Sequence, residues 1–359
     1  MEKYLITDFK KNNCSNSTYG REPVISVMPN GDLVCVMVTG GPTEPHNENI
    51  VVISRSCDNG RTWSEPEILF SHKHRGVWAT EIYTGFSAPM MVVYTYNGDC
   101  PYKELQTFVS FSNDNGLTWS EPRQIAPFAN GMCLRRGIKM SNGKTLFPVY
   151  YTELFSRFDT FSKIGEPDFW KGIRHMCGVV ITEDEGDTYT PHGIIKIDLD
   201  RYAEENETGS AEFHSSPHLW EPNCIEAEDG HIIMYMRNSH HCYIEVAESH
   251  DYGNTWRRVG NNGIPNADSK ICLEKVNNKI VMVSNTAKSF EFGGRTDLEI
   301  QISDDYCKTW KHYSYVNSKE DLYFYPHIAV DNVHSLLYLA YENGVKHYVN
   351  VYTFDELGL

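Results

Sequence analysis

The sequence lacks clustered positive charge. It has 32 Lys and Arg residues against 48 Asp and Glu residues, for a formal net charge of −16, and no basic run forms a stripe. Proteins that bind nucleic-acid backbones neutralise phosphates with clustered Lys and Arg side chains. We therefore expect no nucleic-acid partner.

Long apolar runs and paired cysteines are also missing. The N-terminus has no apolar stretch of signal-peptide length, and no segment approaches the roughly 18 to 20 apolar residues of a membrane span. The ten cysteines stand singly, without a Cys-x-x-Cys pair or a Cys/His set typical of zinc sites. We expect a cytoplasmic protein with no membrane partner, no metal and no cofactor. The alternative is a secreted protein whose signal peptide has been removed.

Aromatic and turn-forming residues are abundant instead. The 359 residues include 22 Tyr, 16 Phe, 7 Trp, 26 Gly and 16 Pro. Aromatic residues favour strands, and Gly and Pro favour tight turns. The composition therefore predicts a β-protein rather than a helical bundle.

An eight-residue pattern, Ser/Thr-x-Asp-x-Gly-x-Thr-Trp/Tyr, occurs five times. The copies are Ser56–Trp63, Ser112–Trp119, Thr182–Tyr189, Ser249–Trp256 and Ser303–Trp310, the last with Cys307 in place of the glycine. Asp can accept hydrogen bonds from the amides that follow it, Gly tolerates positive φ, and the aromatic ring can pack beneath the turn. We expect five structural hairpin turns whose aspartates take no part in catalysis.

The spacing of these turns predicts the fold. Their aspartates, at positions 58, 114, 184, 251 and 305, are 54 to 70 residues apart, and a strand-like run precedes each turn. That interval accommodates a four-stranded sheet and one variable loop. Strand-like runs in 325–354 supply a sixth sheet, which 4–7 could complete from the other end of the chain. We therefore expect an all-β, six-bladed β-propeller, closed by N- and C-terminal strands, as one domain over 1–359.

The repeated turn resembles the Asp-box, or bacterial neuraminidase repeat, and the chain resembles the sialidase superfamily over nearly its whole length. Asp-boxes also occur in non-hydrolytic propellers and in some polysaccharide-degrading enzymes. Fold alone does not define function, so any catalytic hypothesis depends on loops at the face away from the boxes.

Three arginines stand where the resemblance places the carboxylate-binding arginines of sialidases. Arg21, in Gly-Arg-Glu-Pro at 20–23, resembles the Arg-x-Pro element. Arg237 ends a segment, 221–238, that resembles the family's Glu…Asp-Gly…Met-Arg-Asn stretch, and Arg295 resembles the third arginine. The resemblance implies that these guanidinium groups bind a substrate carboxylate, whose geometry the planar fork matches.

The resemblance also implies a tyrosine nucleophile. Tyr325 lies in a segment, followed by Leu-Tyr-Leu-Ala-Tyr-Glu at 337–342, that resembles the family's Tyr-Ser…Leu-Tyr-Glu element. A neutral nucleophile avoids repulsion from the carboxylate on the anomeric carbon, and a glutamate takes its proton. Glu221 is the predicted proton acceptor, with Glu226 as the competing candidate.

The general acid departs from the family pattern. Sialidases place an aspartate on a loop of the first blade, whereas 40–49 contains no Asp, and Glu44 is its best-placed carboxylic acid. Glu44 is therefore the predicted acid, and His46 could share that role or bind substrate. The family's additional arginine just before this loop is also missing. Glutamate reaches about one methylene further than aspartate. We therefore expect either a pocket of altered shape or a substrate other than ordinary sialic acid.

The resemblance implies a retaining exo-glycosidase of sialidase type, acting on a terminal sialic acid or related ulosonic acid of a glycan. Two alternatives stay open. The first is a uronate-acting lyase or rhamnosidase, built from loop histidines such as His175, His214, His218 and His327 together with Arg135 and Arg136. The second is a glycan-binding propeller without catalysis. Aromatic segments at 152–171 and 213–220 could shape an aglycone site or pack as loops.

Overall fold

The structure is a computed structural model that describes residues 1–12, 14–99, 102–125, 132–154, 173–198, 218–289 and 292–359. Strands within these residues form six antiparallel sheets, and the sheets are the blades of a β-propeller. Five sheets have four strands, and the third blade has a fifth strand because its inner strand is split in two. None of the described helices has the length and apolar character needed to cross a membrane.

Blades 1 to 5 follow chain order from their inner to their outer strands, and blade 6 takes its outer strand from the N-terminus. Blades 1 and 2 contain β2 (Arg21–Val27), β3 (Leu33–Thr39), β4 (Ile50–Ser56), β5 (Glu67–Phe70), β6 (Gly76–Tyr83), β7 (Met90–Tyr96), β8 (Gln106–Phe111) and β9 (Arg123–Ile125). Blades 3 and 4 contain β10 (Met132–Leu134), β11 (Ile138–Lys139), β12 (Thr145–Leu154), β13 (Ile173–Thr182), β14 (Thr190–Ile195), β15 (Leu219–Glu228), β16 (His231–Asn238), β17 (Tyr243–Ser249) and β18 (Arg257–Pro265). Blades 5 and 6 contain β19 (Cys272–Val276), β20 (Lys279–Asn285), β21 (Leu298–Ser303), β22 (Lys311–Tyr315), β23 (Phe324–Asp331), β24 (Leu336–Glu342) and β25 (Lys346–Thr353), and short helices lie at Phe292–Gly294 and Phe354–Leu357.

The N-terminal strand closes the ring. Strand β1 (Glu2–Asp8) pairs antiparallel with β25, with Tyr4 opposite Val349, and so forms the outer strand of blade 6. This pairing confirms the predicted closure by strands from both ends of the sequence. It covers an edge of the last blade that would otherwise offer unpaired backbone groups.

The core lies between neighbouring blades. Ile25 and Leu33 of blade 1, for example, share one buried cluster with Ala329 and Tyr338 of blade 6. Fully burying one large apolar side chain contributes about 1.5 to 3 kcal/mol. Packing at each interface therefore fixes how every blade is placed against the next one around the ring.

The five repeated turns connect the third and fourth strands of blades 1 to 5. In the first, the Thr62 amide donates to the Asp58 carboxylate at 2.9 Å, and the Gly60 amide donates to the Ser56 hydroxyl at 2.9 Å. In the other four turns the Thr amide likewise donates to the Asp carboxylate, at 2.8 to 2.9 Å. Cys307 takes the glycine position of the fifth turn with a φ of 66°.

The strand registers place these turns and the predicted arginines at opposite ends of the blades. Arg21 pairs with Val38 near one end of blade 1, whereas Ser56, where the turn begins, pairs with Leu33 at the other end. Arg237 likewise pairs with Trp220 at the start of its blade's inner strand. The site must therefore be sought at the end where the inner strands begin.

Candidate active site

Three inner strands begin with the same irregularity. The register shifts between Arg21 and Val24 in blade 1, between Trp220 and Asn223 in blade 4, and between Phe324 and His327 in blade 6. Each shift contains a residue in the left-handed region followed by a proline: Glu22, Glu221 and Tyr325, with φ of 46°, 43° and 55°. Bulges re-aim side chains, and such backbone conformations concentrate at functional sites.

All three bulge residues line one cavity of about 360 Å³. Six of the seven predicted site residues line it: Arg21, Glu44, Glu221, Arg237, Arg295 and Tyr325. The rest of its lining is mainly aromatic and comprises Glu22, Pro45, Trp78, Tyr94, Tyr96, Tyr102, Leu105, Arg135, Tyr150 and Trp220. Residues of blades 1 to 6 thus contribute to one pocket.

Tyr325 and Glu221 are directly hydrogen-bonded. The Tyr325 hydroxyl donates to Glu221 Oε1 at 2.9 Å, within the expected range of roughly 2.6 to 3.2 Å for a nucleophile and its base. Burial and the Glu221 charge raise the pKa of Tyr325 far above its ordinary value, so the phenol is neutral at physiological pH. Burial opposes ionisation of Glu221, but Arg237 and Arg135 outweigh it and lower its pKa. Glu221 is therefore an ionised acceptor.

Two of the three predicted arginines, Arg237 and Arg295, lie beside Tyr325. Arg237 Nη1 lies 3.2 Å from the Tyr325 hydroxyl and 3.3 Å from Glu221 Oε2, while its Nε donates to Asp268 Oδ1 at 2.7 Å. Arg295 donates to the Asp268 carbonyl at 2.9 Å, and its guanidinium carbon lies 5.5 Å from the centre of the Tyr325 ring. Asp268 thus orients two of the three guanidinium groups.

Arg21 is held by a buried glutamate of blade 6. Its Nη1 lies 3.4 Å from Glu342 Oε2, and Glu342 also accepts from the backbone amides of Glu22 at 2.8 Å and Gly344 at 3.0 Å. Burial raises the pKa of Glu342 to about 7, although Arg21 opposes this shift. Glu342 therefore ties Arg21 and the blade 1 bulge to the neighbouring blade.

Glu44 stands on a loop that polar side chains hold in place. Asn49 donates to the Gly40 carbonyl at 2.6 Å and to the Thr43 carbonyl at 3.0 Å, and the Tyr19 hydroxyl donates to the same two carbonyls. Burial raises the pKa of the half-buried Glu44 to about 7, against the opposing charge of Arg21. Glu44 can therefore carry a proton near neutral pH.

Two other predicted candidates do not line the cavity. His46 is not among the residues that line it, and His46 Nδ1 accepts from the Glu48 amide at 3.2 Å. Glu226 accepts from the Ser141 amide at 2.7 Å and the Gly230 amide at 3.1 Å, near the opposite end of its strand. Of the two glutamates that were candidates for the base, only Glu221 reaches Tyr325 in the described structure.

A buried charge network in the cavity was not predicted from the sequence. Arg135 Nη1 forms an ion pair with Glu22 Oε1, Lys270 Nζ lies 3.3 Å from the same oxygen, and Trp78 Nε1 donates to Glu22 Oε2 at 2.8 Å. Arg135 Nη2 also lies 3.6 Å from Glu221 Oε1. The Glu-Pro dipeptide at 22–23 also occurs at 44–45, 65–66, 121–122, 166–167 and 221–222, so it did not single out Glu22 in the sequence.

Three of the histidines considered for a lyase site lie outside the cavity lining: His175 and His218 are neighbours, with ring centroids 4.9 Å apart, and His327 lies elsewhere. His175 and His218 pack against Trp220, with ring centroids 4.0 and 5.1 Å from its ring, and His327 is buried 3.6 Å from Glu81. None of these three is among the cavity-lining residues. His214 and most of the aromatic segments 152–171 and 213–220 lie outside the described residues.

The BNR repeat-like domain family matches residues 31–336, and the chain belongs to this family. With its six blades, it is a sialidase-superfamily BNR β-propeller. In sequence it is 23% identical over 325 residues to a sialidase of Micromonospora viridifaciens, covering 81% of this chain and 45% of that protein. It is 24% identical over 301 residues to a sialidase of Bacteroides fragilis, covering 72% and 48%. The chain thus spans less than half the length of these relatives.

Solved structures support the same fold. The Hadza microbial sialidase Hz136 aligns with a TM-score of 0.72 at 16% identity, over 94% of this chain and 66% of that one. The NanB sialidase from Streptococcus pneumoniae aligns with a TM-score of 0.69 at 13% identity, over 98% and 70%. At such identities, the likeness concerns the fold, and activity must be argued from the cavity.

Proposed function

We propose that the protein is a retaining exo-glycosidase that releases a terminal, carboxylate-bearing ulosonic acid, such as a sialic acid, from a glycan. The observation that carries the proposal is the 2.9 Å hydrogen bond from Tyr325 to Glu221 in a cavity that Arg21, Arg237 and Arg295 also line. A phenol becomes a strong nucleophile when a neighbouring base removes its proton.

The arginines bind the substrate carboxylate. Arg21, Arg237 and Arg295 present guanidinium groups to one cavity, and each is anchored on the protein side by Glu342 or Asp268. Such anchoring holds the guanidinium groups in position before the substrate binds. Less side-chain entropy is therefore lost on binding. Because Arg237 contacts the Tyr325 hydroxyl, a carboxylate held there brings the anomeric carbon beside the nucleophile.

In the first step, the Tyr325 oxygen attacks the anomeric carbon and its proton passes to Glu221. The bond from that carbon to the glycosidic oxygen breaks, and the leaving oxygen takes the proton of Glu44. The neutral phenol approaches without charge repulsion, and the arginines compensate the carboxylate as positive charge develops on the ring.

In the second step, Glu44 removes a proton from a water molecule, and the resulting hydroxide attacks the anomeric carbon. The bond to Tyr325 breaks, and the tyrosine oxygen recovers its proton from Glu221. Two displacements at one carbon retain the anomeric configuration. A carboxyl group whose pKa is about 7 suits this double role, because it donates and accepts a proton near neutral pH.

The test is release of a fluorogenic aglycone from an α-sialoside by the purified protein. We expect turnover by the parent and loss of turnover in Tyr325→Phe, which removes one oxygen. Tyr323→Phe is the matched control, since Tyr323 is not a cavity-lining residue. Turnover by Tyr325→Phe equal to that of the parent would contradict the assignment.

The same protein is assayed for two other outcomes. An unsaturated uronate formed from an acidic polysaccharide would indicate a lyase and refute the hydrolase proposal. Binding of a sialoside without turnover, at every pH tested, would identify a glycan-binding propeller instead. Nuclear magnetic resonance of the first sugar product distinguishes retention from inversion, because it reports the anomer before mutarotation.

A further inference from the structure

Two histidines and a glutamate lie together at the end of blade 4 away from the cavity. The antiparallel register of β16 and β17 pairs Ile232 with Ser249. The residues just outside that pair, His231 and His250, are therefore opposite one another. Because side chains alternate along a strand, Glu248 shares their face of the ladder and lies diagonal to His231.

The donor atoms of these residues are close together. Their candidate ligand atoms all lie within 4.8 Å of one another, and His250 Nε2 is 3.8 Å from Glu248 Oε2. The two imidazole rings stack with centroids 4.3 Å apart. His231 Nε2 is buried and has no hydrogen-bond partner among the described residues. A buried polar atom without a partner is unfavourable unless a ligand satisfies it.

The donor set suits a particular class of ion. Two imidazole nitrogens with one carboxylate oxygen favour zinc-like divalent cations over calcium or magnesium, which prefer oxygen ligands. We propose that His231, Glu248 and His250 form a site for a zinc-like divalent cation, with water completing the coordination. The spacing of these residues in the sequence does not indicate a metal site, because strand pairing is what brings them together.

Binding requires a small adjustment of the ligands. Zinc–ligand bonds of about 2.0 to 2.1 Å in a tetrahedral site hold ligand atoms about 3.4 Å apart. The His250 side chain is 67% exposed, so its ring can turn out of the stack toward the ion.

His250 occupies the second position of its repeated turn, where the other four turns have no histidine: Cys57, Asn113, Glu183 and Asp304.

One exposed cation competes for the carboxylate. Arg257 Nη2 donates to Glu248 Oε2 at 3.2 Å, and its side chain is 72% exposed. Its positive charge disfavours a second cation at the same oxygen, although exposure to water weakens this effect. Removal of this charge should therefore strengthen metal binding, whereas removal of a ligand should weaken it.

The experiment is a calorimetric titration of untagged, metal-free protein with zinc chloride. All proteins carry Cys57→Ser, because Cys57 is an exposed free cysteine that could itself bind zinc. We expect one ion per chain, weakened at least about tenfold in His231→Asn and in His250→Asn. Arg257→Gln should bind more tightly, and the exposed His74→Asn control should bind as the parent does.

A second measurement is the melting temperature with and without zinc. Zinc should raise it in the parent and not in the His231→Asn protein, since a ligand that binds only the folded state stabilises it. A cooperative melting transition in the presence of chelator establishes that each variant is folded. If the His231→Asn protein does not fold, the His250→Asn protein is used for the test. No zinc binding by the parent, or unchanged affinity in the folded ligand variants, overturns the proposal. Glycosidase activity enters neither readout.

Discussion

Arg135 and Glu22 form a buried ion pair beside the Tyr325–Glu221 hydrogen bond. Arg135 also approaches Glu221 at 3.6 Å, so one guanidinium group is shared by two carboxylates. Lys270 and Trp78 complete the coordination of Glu22. The charge of Glu22 therefore limits how strongly Arg135 lowers the pKa of Glu221, the proposed base.

Glu22→Gln should change the pH dependence of the reaction. Without the Glu22 charge, Arg135 interacts more with Glu221 and lowers the Glu221 pKa further. Glu221 would then be ionised at lower pH but would be a weaker base, so the acid limb of kcat/KM should move to lower pH and kcat should fall. The measurement is a pH–rate profile of both proteins.

The stability of this variant is a separate readout. Removing one partner of a buried ion pair costs about 3 to 5 kcal/mol, because the remaining charge is left uncompensated. Urea unfolding should therefore show a destabilised but folded protein at 25 °C. A kcat loss without displacement of the acid limb would assign Glu22 a purely structural role.

Glu44 should set the basic limb of the profile. Burial raises the pKa of Glu44 to about 7, and an acid must be protonated to act, so kcat/KM should fall as pH rises through about 7. Glu44→Gln should remove this limb. It should slow substrates with poor leaving groups far more than aryl glycosides, whose aryl oxide needs little protonation. Equal losses on both substrates would exclude Glu44 as the acid.

Arg295→Lys should weaken recognition of the substrate carboxylate. Lysine keeps the charge but loses the planar fork and cannot keep both the Asp268 contact and a two-point contact with substrate. A lost charge-assisted hydrogen bond of 1.5 to 3 kcal/mol corresponds to about a 10- to 150-fold lower kcat/KM. The parent should strongly prefer the free acid to its methyl ester, and the variant should show a smaller preference, because Arg21 and Arg237 remain in the cavity.

Asp58→Ala tests the separation between the repeated turns and the cavity. The substitution removes hydrogen bonds from the Thr62 amide and hydroxyl to Asp58. Loss of such a capping interaction costs about 1 kcal/mol, which urea unfolding can detect. Because this turn lies at the opposite end of blade 1 from Arg21, kcat and KM should not change. An altered KM would show that the two ends of the blade are coupled.

The sequence was sufficient to predict the propeller because the turn signals are local and repeated. Asp58 and its four counterparts each make their hydrogen bonds within a few residues, so their spacing reveals the blades directly. Closure by β1 followed from the missing strand of the last blade. The positions of Tyr325, Glu221 and the arginines came from resemblance to a family rather than from spacing.

The rest depended on contacts between distant blades. Glu22 and Arg135 are far apart in sequence, and neither belongs to a pattern that indicates an ion pair. Asp268 and Lys270 precede the inner strand β19, and the sequence around them contains no motif that indicates a functional site. His46 is close to Glu44 in the chain, but hydrogen bonding within the loop turns its ring to Glu48. Such contacts follow from the assembled ring and not from local propensity.

The bulges in blades 1, 4 and 6, in each of which a proline follows the bulge residue, build the pocket from three equivalent positions. Each presents one side chain to a shared central space from a backbone position fixed by the same irregularity. Exchanging Glu22, Glu221 or Tyr325 for another residue would change the chemical group offered there while leaving the strand framework in place. In this architecture, a point substitution can diversify chemistry in the way that replacing a whole loop does in other folds.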